Sequence, residues 1–370
     1  MREKAQRSGV LLRPHVKTHK TREIARMQVG GESGPITVST LAEGEFFARH
    51  GFDDITYAVP ISPEKLPRAA ALARMVKRLN LLVDNAAVLP ALDSLHRNQG
   101  VEFDIFIKVD CGYHRAGVDP LASASLDLAL HLAAMFPGVR LQGLLTHAGH
   151  SYHARNRQEI SKIAEEESGC LTEFRQRILD CLKGDPKDPM QWALSGRFPA
   201  TGAGALVRST GSTPTACVVE TFQETDEVRP GNYVFFDAFQ LAIGSCEFSQ
   251  VAASVLATVI GSYPDRNQLI IDAGALALSK DPGPNHLDPN CDYGILCDLG
   301  LRPLSQMKLT ALSQEHGIIA APAALVNFFP VGSRLRVIPN HSCLTAAMYE
   351  RYYVIEEGNI TGEWQPVHGW

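Results

Sequence analysis

The chain has 370 residues, of which 45% are hydrophobic, and a formal net charge of -5 at pH 7. This length and composition predict a large core divided between two domains. The mild acidity gives no bulk attraction toward nucleic acid or membrane. No apolar run in the sequence reaches the roughly 18 residues that a membrane-spanning helix needs.

The first ten residues, MREKAQRSGV, have no apolar segment typical of a secretory signal. The eight cysteines are scattered along the chain without a CxxC motif or a disulfide-framework spacing. We therefore expect reduced thiols and a cytoplasmic protein.

Eight short β-branched or apolar runs alternate with helical patterns through the first two thirds of the chain. Thr40 and Glu43 form a capping-box pattern, and Ser62 with Pro63 predicts the start of a helix running through Leu79. The alternation favours a parallel (β/α)₈ TIM-like barrel, although an open doubly wound sheet fits the same pattern. The predicted strands are Val10–Lys17, Ile36–Val38, Ile55–Val59, Leu81–Val83, Phe103–Val109, Leu141–Thr146, Leu206–Ser209 and Glu227–Arg229.

The character of the sequence changes after the eighth predicted strand. Residues 183–204 are rich in Gly and Pro and predict an inserted loop, whereas the segments after Cys246 read mostly as strands. We therefore predict a barrel domain over residues 1–245 and a β-rich C-terminal domain over residues 246–370.

The basic stretch RPHVKTHK, residues 13–20, follows the apolar run Val10–Leu12. In an extended strand alternate residues share a face, so Arg13, His15, Lys17 and His19 would lie together. In a barrel whose outer face packs on helices, that set would point inward near the carboxyl end, where barrel sites form. An exposed basic edge fits the same residues equally well.

RPHVKTHK is also the first of eight sequence blocks that together resemble one family. The others, in chain order, are FIKVDCGYHRAGV, LLTHAGHSY, STGSTPT, EVRPGNYVFFD, IDAGALALSKD, LSQEHGI and PNHSCLTAAMYERYYV. The chain resembles the eukaryotic-type D-serine dehydratases, pyridoxal-phosphate enzymes of the alanine-racemase-like fold that are related to metal-activated D-threonine aldolases. Relatives usually begin with a short apolar strand and a fuller helix before the lysine segment, so the resemblance leads us to expect that this sequence starts inside that helix.

The resemblance implies a cofactor site in the barrel. Lys17 matches the lysine that carries pyridoxal 5'-phosphate and acts at Cα, and Arg115 matches an arginine near the cofactor's phenolic oxygen or the substrate carboxylate. Gly-containing turns after the last two strands suit a phosphate, although each alone is more often just a turn. The further cofactor-binding residues implied are Tyr152, Thr213, Gly231 and Asn232, with His147 and His150 lining the pocket.

The block PNHSC places His341 and Cys343 two residues apart. On an extended segment both would project from one face, and imidazole with thiolate suits Zn²⁺. The pair alone is a weak motif, but the dehydratases have a zinc site at this block. Two protein ligands leave coordination positions open, as in catalytic zinc sites.

The function that the resemblance implies is a carbon–nitrogen lyase that converts D-serine to pyruvate and ammonia. Lysine-mediated Cα deprotonation and zinc-assisted loss of the β-hydroxyl would carry the reaction. The alternatives are a D-threonine aldolase, a 3-hydroxyaspartate dehydratase and a non-enzymatic carrier of pyridoxal phosphate. The family further implies a homodimer that acts on a small D-amino acid.

Overall fold

The computed structural model describes residues 1–135, 137–182 and 206–369. The loop predicted over residues 183–204 therefore lies outside the described residues. The described chain divides into two compact units, of which the first comprises residues 1–152, 158–231 and the chain from Val367 onward. The second unit comprises residues 153–157 and 232–366. The domain boundary predicted at residue 245 stays a prediction.

Eight parallel strands form the sheet of the first unit, in the order β1-β8-β7-β6-β5-β4-β3-β2. A parallel bridge between His15 and Thr37 joins the two edges, so the sheet closes into a barrel. The backbone N–H of Thr37 also donates to the carbonyl of Pro14 at 2.9 Å. The strands are β1 Leu11–Leu12, β2 Pro35–Val38, β3 Asp54–Pro60, β4 Arg78–Val83, β5 Phe103–Lys108, β6 Val139–Leu145, β7 Val207–Thr210 and β8 Glu227–Val228.

Helices between these strands bury their apolar faces against the barrel. Ile55, Leu81 and Ile105 belong to the same core as Leu72 and Leu92 from the surrounding helices, and all five are at most 1% exposed. The helices are α1 Arg2–Arg7, α2 Arg22–Val29, α3 Leu41–Arg49, α4 Leu66–Ala73, α5 Leu89–Gln99, α6 Ser123–Ala134, α7 Arg157–Leu182 and α8 Thr213–Val218.

The second unit is built mainly on a six-stranded antiparallel sheet in the order β11-β14-β9-β10-β13-β12, beside a β15-β16 hairpin. Val259, Leu269 and Leu335 from this sheet are fully buried in the unit's own core. Its strands are β9 Val255–Tyr263, β10 Gln268–Ile271, β11 Gly294–Cys297, β12 Lys308–Leu312, β13 Gly317–Ala320, β14 Arg334–Pro339, β15 Tyr352–Glu356 and β16 Asn359–Trp364, and its helices are α9 Ala238–Ala242, α10 Ala275–Leu278, α11 Ala323–Val326 and α12 Ser342–Ala346.

These two units confirm the predicted fold class, a (β/α)₈ barrel with a mainly β C-terminal part. Two predicted elements are wrong in extent. The helix expected to run through Leu79 ends at Ala73, because Leu79 instead pairs with Ile55 in the barrel sheet. The first strand stops at Leu12 rather than Lys17. In the described ranges, no helix has both the length and the apolar character needed to cross a membrane.

Candidate active site

Lys17 lies on a short 3₁₀ turn, Val16–Thr18, and not on the strand that the sequence predicts. The strand ends early because His15 bridges to β2 where the barrel closes, and the chain then enters the 3₁₀ turn at Val16. His15 caps the turn, and its Nδ1 accepts a hydrogen bond from the Lys17 backbone N–H at 3.4 Å. The turn fixes the Lys17 backbone beside the carboxyl ends of the barrel strands.

The four basic residues that the sequence predicts to share an inward face have different partners in the structure. Arg13 is buried against Glu227 and Asp54, at 2.5 and 2.6 Å, and His19 is buried against Gln28 at 2.9 Å. Each of these two side chains therefore has polar partners of its own. His15 and Lys17 lie in the cluster of cations around Arg229 and His147, and the charge of Arg13 also reaches Arg229.

Two half-buried imidazoles lie among several cations in the first unit. Burial and the charges of Lys17 and Arg229 lower the pKa of His15 well below its usual value. Burial and the charges of Lys17 and Arg115 lower the pKa of His147 in the same way. Both imidazoles are therefore neutral near pH 7, and the positive charge comes from the lysine and arginine side chains.

Two buried cations of this cluster, Lys108 and Arg229, are absent from the sequence-based predictions. Arg229 donates to the carbonyls of Thr210, at 2.8 Å, and Thr146, and burial lowers its pKa to about 10. Burial lowers the pKa of Lys108 to about 8. The sequence feature that could have identified them is a cationic residue at the end of an apolar strand, as Lys108 is at the end of FDIFIK. Such a cation at a barrel's carboxyl end is well placed to attract an anion.

The two Gly-containing turns predicted to hold phosphate adjoin each other at Arg229. Gly211 has a φ of +113°, and a Cβ built on it would approach the Arg229 backbone nitrogen to 3.0 Å. A Cβ on Gly231 would lie 2.8 Å from the His15 carbonyl oxygen and 3.4 Å from Thr18 Oγ1. The turn at Gly231 thus packs directly on the segment that carries Lys17, which only glycine permits. Thr213, 2% exposed, begins α8 just beyond Gly211.

Arg115 and Tyr152 also lie in the first unit, on loops after β5 and β6. Arg115 is exposed and its guanidinium lies 5.1 Å from the ring centroid of Tyr113. Tyr113 in turn lies 6.5 Å from both His147 and His150, centroid to centroid. Tyr152 is partly buried on the 3₁₀ turn Gly149–His153. The charge of Arg115 reaches His147, which places it in the same cluster as Lys17.

This cluster fits an anionic aldehyde cofactor such as pyridoxal phosphate. Lys17 provides an amine, the surrounding cations balance a phosphate, and the Gly231 turn approaches the Lys17 segment closely. Within the described chain, the backbone N–H of Gly231 has no protein acceptor, so it remains as a donor for an anion. Backbone donors in a glycine turn are a common way to hold phosphate.

In the second unit, His341 and Cys343 form a hydrogen-bonded pair at the start of α12. The extended segment expected for the pair is wrong at Cys343, which already lies in the helix. His341 Nδ1 also bonds Asp281 Oδ2 at 3.0 Å. Burial lowers the pKa of His341, but its hydrogen bonds to Asp281 and Cys343 outweigh this and raise the pKa to about 10.

The same arrangement fits a divalent metal. A carboxylate on one imidazole nitrogen orients the ring and leaves the other nitrogen for a metal, as in carboxylate–histidine–zinc sites. Nitrogen and sulfur donors together suit Zn²⁺. Across the described ranges, no group of three His, Cys, Asp or Glu side chains is arranged as a metal cage. Asp281, which sequence reasoning missed, lies in the quoted block IDAGALALSKD.

Asn232 is also buried in the second unit, 5% exposed. Its Nδ2 lies 2.8 Å from Asp237 Oδ2, 2.8 Å from Ser342 Oγ and 3.5 Å from Cys343 Sγ. The side chain therefore contacts the segment that carries His341 and Cys343. These side-chain contacts of Asn232 all lie in the second unit.

Two known protein families match this chain, one over the barrel and one over the C-terminal part. Residues 1–238 match the family described as "Alanine racemase, N-terminal domain", and residues 252–355 match the one described as "Putative serine dehydratase domain". The first match covers most of the barrel, and defines an alanine-racemase-like protein. The two together, with the relatives below, show that the chain belongs to the D-serine dehydratase family. The family implies pyridoxal phosphate as cofactor.

Several relatives match the whole chain, and two of them are dehydratases of different named substrates. The D-threo-3-hydroxyaspartate dehydratase of Delftia sp. (strain HT23) is 38% identical over 376 residues, covering 100% of this chain and 93% of the relative. The D-serine dehydratase of Dictyostelium discoideum is 35% identical over 390 residues, with the same coverage. The solved structure of the Delftia enzyme superposes with a TM-score of 0.87 at 37% identity, covering 100% of this chain and 93% of that one. A cysteine-to-alanine variant of that enzyme, solved in a metal-free form, covers the same shares with a TM-score of 0.86 at 37% identity.

Proposed function

We propose that this chain is a pyridoxal-phosphate- and zinc-dependent D-serine dehydratase, a carbon–nitrogen lyase that converts D-serine to pyruvate and ammonia. The observation that carries the proposal is the surroundings of Lys17. A lysine on a fixed turn, next to a glycine turn with an available N–H donor and among other cations, suits a covalently held anionic cofactor. The D-serine dehydratase of Dictyostelium, 35% identical over the whole chain, supports the choice of reaction.

The barrel residues would hold the cofactor and move the proton. The Lys17 amine would hold the cofactor and would take the proton from the substrate Cα. The backbone N–H groups of Gly231 and Asn232 and the turn at Thr213 would hold the phosphate. Arg115 would bind the cofactor's phenolic oxygen or the substrate carboxylate, and Tyr152 would pack on the cofactor or hydrogen-bond to it. When bound, pyridoxal phosphate supplies an electron sink for the charge that develops at Cα.

His341 and Cys343 would hold the zinc, with Asp281 fixing the imidazole through Nδ1. When bound, zinc supplies a Lewis acid for the departing β-hydroxyl, which is otherwise a poor leaving group. The metal-free variant of the Delftia relative supports a metal in this family. Water then converts the released unsaturated amine to pyruvate and ammonia.

The test is keto-acid and ammonia release from D-serine, L-serine, D-threonine and D-threo-3-hydroxyaspartate, with and without a chelator. We expect pyruvate and ammonia in equal amounts from D-serine, and no turnover after metal removal while the cofactor stays bound. Full activity of metal-stripped enzyme would reject the zinc role. Glycine and acetaldehyde from D-threonine, without keto acid from D-serine, would show an aldolase instead.

D-threo-3-hydroxyaspartate dehydratase activity is the second candidate, because the Delftia relative is 38% identical over the whole chain. This reaction uses the same chemistry and gives oxaloacetate and ammonia. The ratio of kcat/KM for the two substrates decides between them. Cofactor binding without turnover of any D-amino acid would favour a non-enzymatic carrier of pyridoxal phosphate.

The family also suggests a cytoplasmic homodimer, which completes the proposal. Light scattering of the purified protein tests whether it is a dimer.

A further inference from the structure

The side chain of Asn232 is enclosed by the segment that carries the proposed zinc ligands. Its amide nitrogen contacts Asp237 Oδ2 and Ser342 Oγ, both at 2.8 Å, and Cys343 Sγ at 3.5 Å. A primary amide has two N–H donors. Both are therefore engaged by these three groups, and neither is left for a phosphate.

The other end of the same amide makes phosphate binding by this side chain still less favourable. Asn232 Oδ1 is buried and, in the part of the chain that the structure describes, has no hydrogen-bond partner. An amide oxygen is an acceptor only, so it would repel a phosphate oxygen. The backbone N–H of Asn232 is thus its one donor for the cofactor.

Asp237, which accepts a hydrogen bond from Asn232, is itself held by further hydrogen bonds. It is 1% exposed, and its carboxylate accepts hydrogen bonds from the Ser342 N–H at 2.9 Å, the Ser342 hydroxyl at 3.2 Å and the Gln240 N–H at 2.9 Å. Ser342 lies between His341 and Cys343 in the chain. Asp237 therefore fixes the backbone that spaces the two proposed ligands, and Asn232 links Asp237 to Cys343.

We propose that the side chain of Asn232 is a positioning residue for the zinc-binding thiolate and not a ligand of the cofactor phosphate. This inference rests on the proposed zinc site. An N–H directed at the sulfur holds it in place for a metal. Outer contacts of this kind commonly change metal affinity by about 10- to 100-fold.

The test measures zinc and cofactor separately in Asn232→Leu and Asn232→Ala. The leucine keeps the approximate side-chain shape without the amide, and the alanine removes the side chain beyond Cβ. If one variant folds poorly, the affinities can be measured on the other. Asn359→Ala, at an exposed position on β16, is the matched control. Zinc affinity comes from competition with a chromophoric chelator, and pyridoxal-phosphate affinity from fluorescence titration. Circular dichroism melting verifies the fold.

We expect zinc affinity to fall by about tenfold or more in both Asn232 variants, with cofactor affinity within about threefold of wild type. In Co²⁺-substituted protein, the thiolate-to-cobalt charge-transfer band should move to lower energy, because loss of the N–H raises the sulfur lone-pair energy. Unchanged zinc affinity, a loss confined to the cofactor, or equal losses of both would overturn the inference. Wild-type protein that binds no zinc would overturn the zinc proposal and this inference together, a result distinct from the other three.

Discussion

Replacement of Gly231 by alanine tests whether the Gly231 turn and the Lys17 segment form one cofactor site. The added Cβ would lie 2.8 Å from the His15 carbonyl oxygen, 3.0 Å from His15 Cβ and 3.4 Å from Thr18 Oγ1. The nearest contact is backbone, so rotation of a side chain cannot relieve it. Either the turn or the segment from His15 to Thr18 must move, and Lys17 lies inside that segment.

The size of the effect follows from the cost of overpacking, which is about 1–3 kcal/mol for an added carbon in a well-packed site. If this cost falls on the cofactor-bound geometry, the dissociation constant for pyridoxal phosphate rises by about 5- to 150-fold. Fluorescence titration of the apoprotein measures that constant. The absorbance of the lysine-bound cofactor should fall in parallel at fixed cofactor concentration.

Gly169→Ala is the matched control, because Gly169 lies within α7 and a Cβ there would meet no atom within 4 Å. Alanine in a helix interior is favoured over glycine by about 0.5–1 kcal/mol, so this variant should fold at least as well as wild type. Its cofactor affinity should not change. A Gly231→Ala protein with wild-type cofactor affinity would refute the assignment of this turn to the cofactor site.

Three further changes test other parts of the structure. Lys17→Ala should lose the absorbance band of the lysine-bound cofactor while keeping its circular dichroism spectrum, and a retained band would reject the assignment. Glu227→Gln breaks a 2.5 Å ion pair with Arg13 in which both side chains are 2% exposed. Urea unfolding should show a free energy of unfolding lower by about 3 kcal/mol. Glu45→Gln, in the more exposed pair with Arg68, should cost less than about 1 kcal/mol, and equal losses in the two variants would contradict the burial argument. Burial lowers the pKa of His19 to about 4, so the unfolded chain takes up a proton that the folded one refuses, and stability should fall as pH drops from about 6.5 toward 4. His19→Gln should reduce that acid loss by up to about 3 kcal/mol, and an unchanged slope would show that His19 is not kept neutral by the fold.

The barrel strands were predictable because β-branched runs alternating with helical patterns carry the signal for a parallel sheet. The end of the first strand was not predictable, because the period-two alternation continues through RPHVKTHK although a 3₁₀ turn begins at Val16. The true determinant is the pairing of His15 with Thr37, which closes the barrel across 22 positions of sequence. Tertiary pairing of this kind leaves no local trace.

Some residues of the candidate site were also predictable from the sequence, and others were not. Lys17 and the pair His341 and Cys343 were found through sequence blocks that resemble a family. Lys108, Arg229 and Asp281 were missed, because their importance depends on burial and on partners far away in the chain. A lysine that ends an apolar strand looks the same in sequence whether it is solvated or enclosed.

The most direct measurement of the central claim is the identity of the amine that carries the cofactor. Borohydride reduction of the pyridoxal-phosphate-loaded protein, followed by peptide mapping with mass spectrometry, fixes the cofactor permanently to its lysine. Two lysines in the same charge cluster compete for this role, Lys17 and the buried Lys108, whose pKa burial lowers to about 8. The account predicts the reduced adduct on Lys17, and an adduct on Lys108, or on no single lysine, would contradict it.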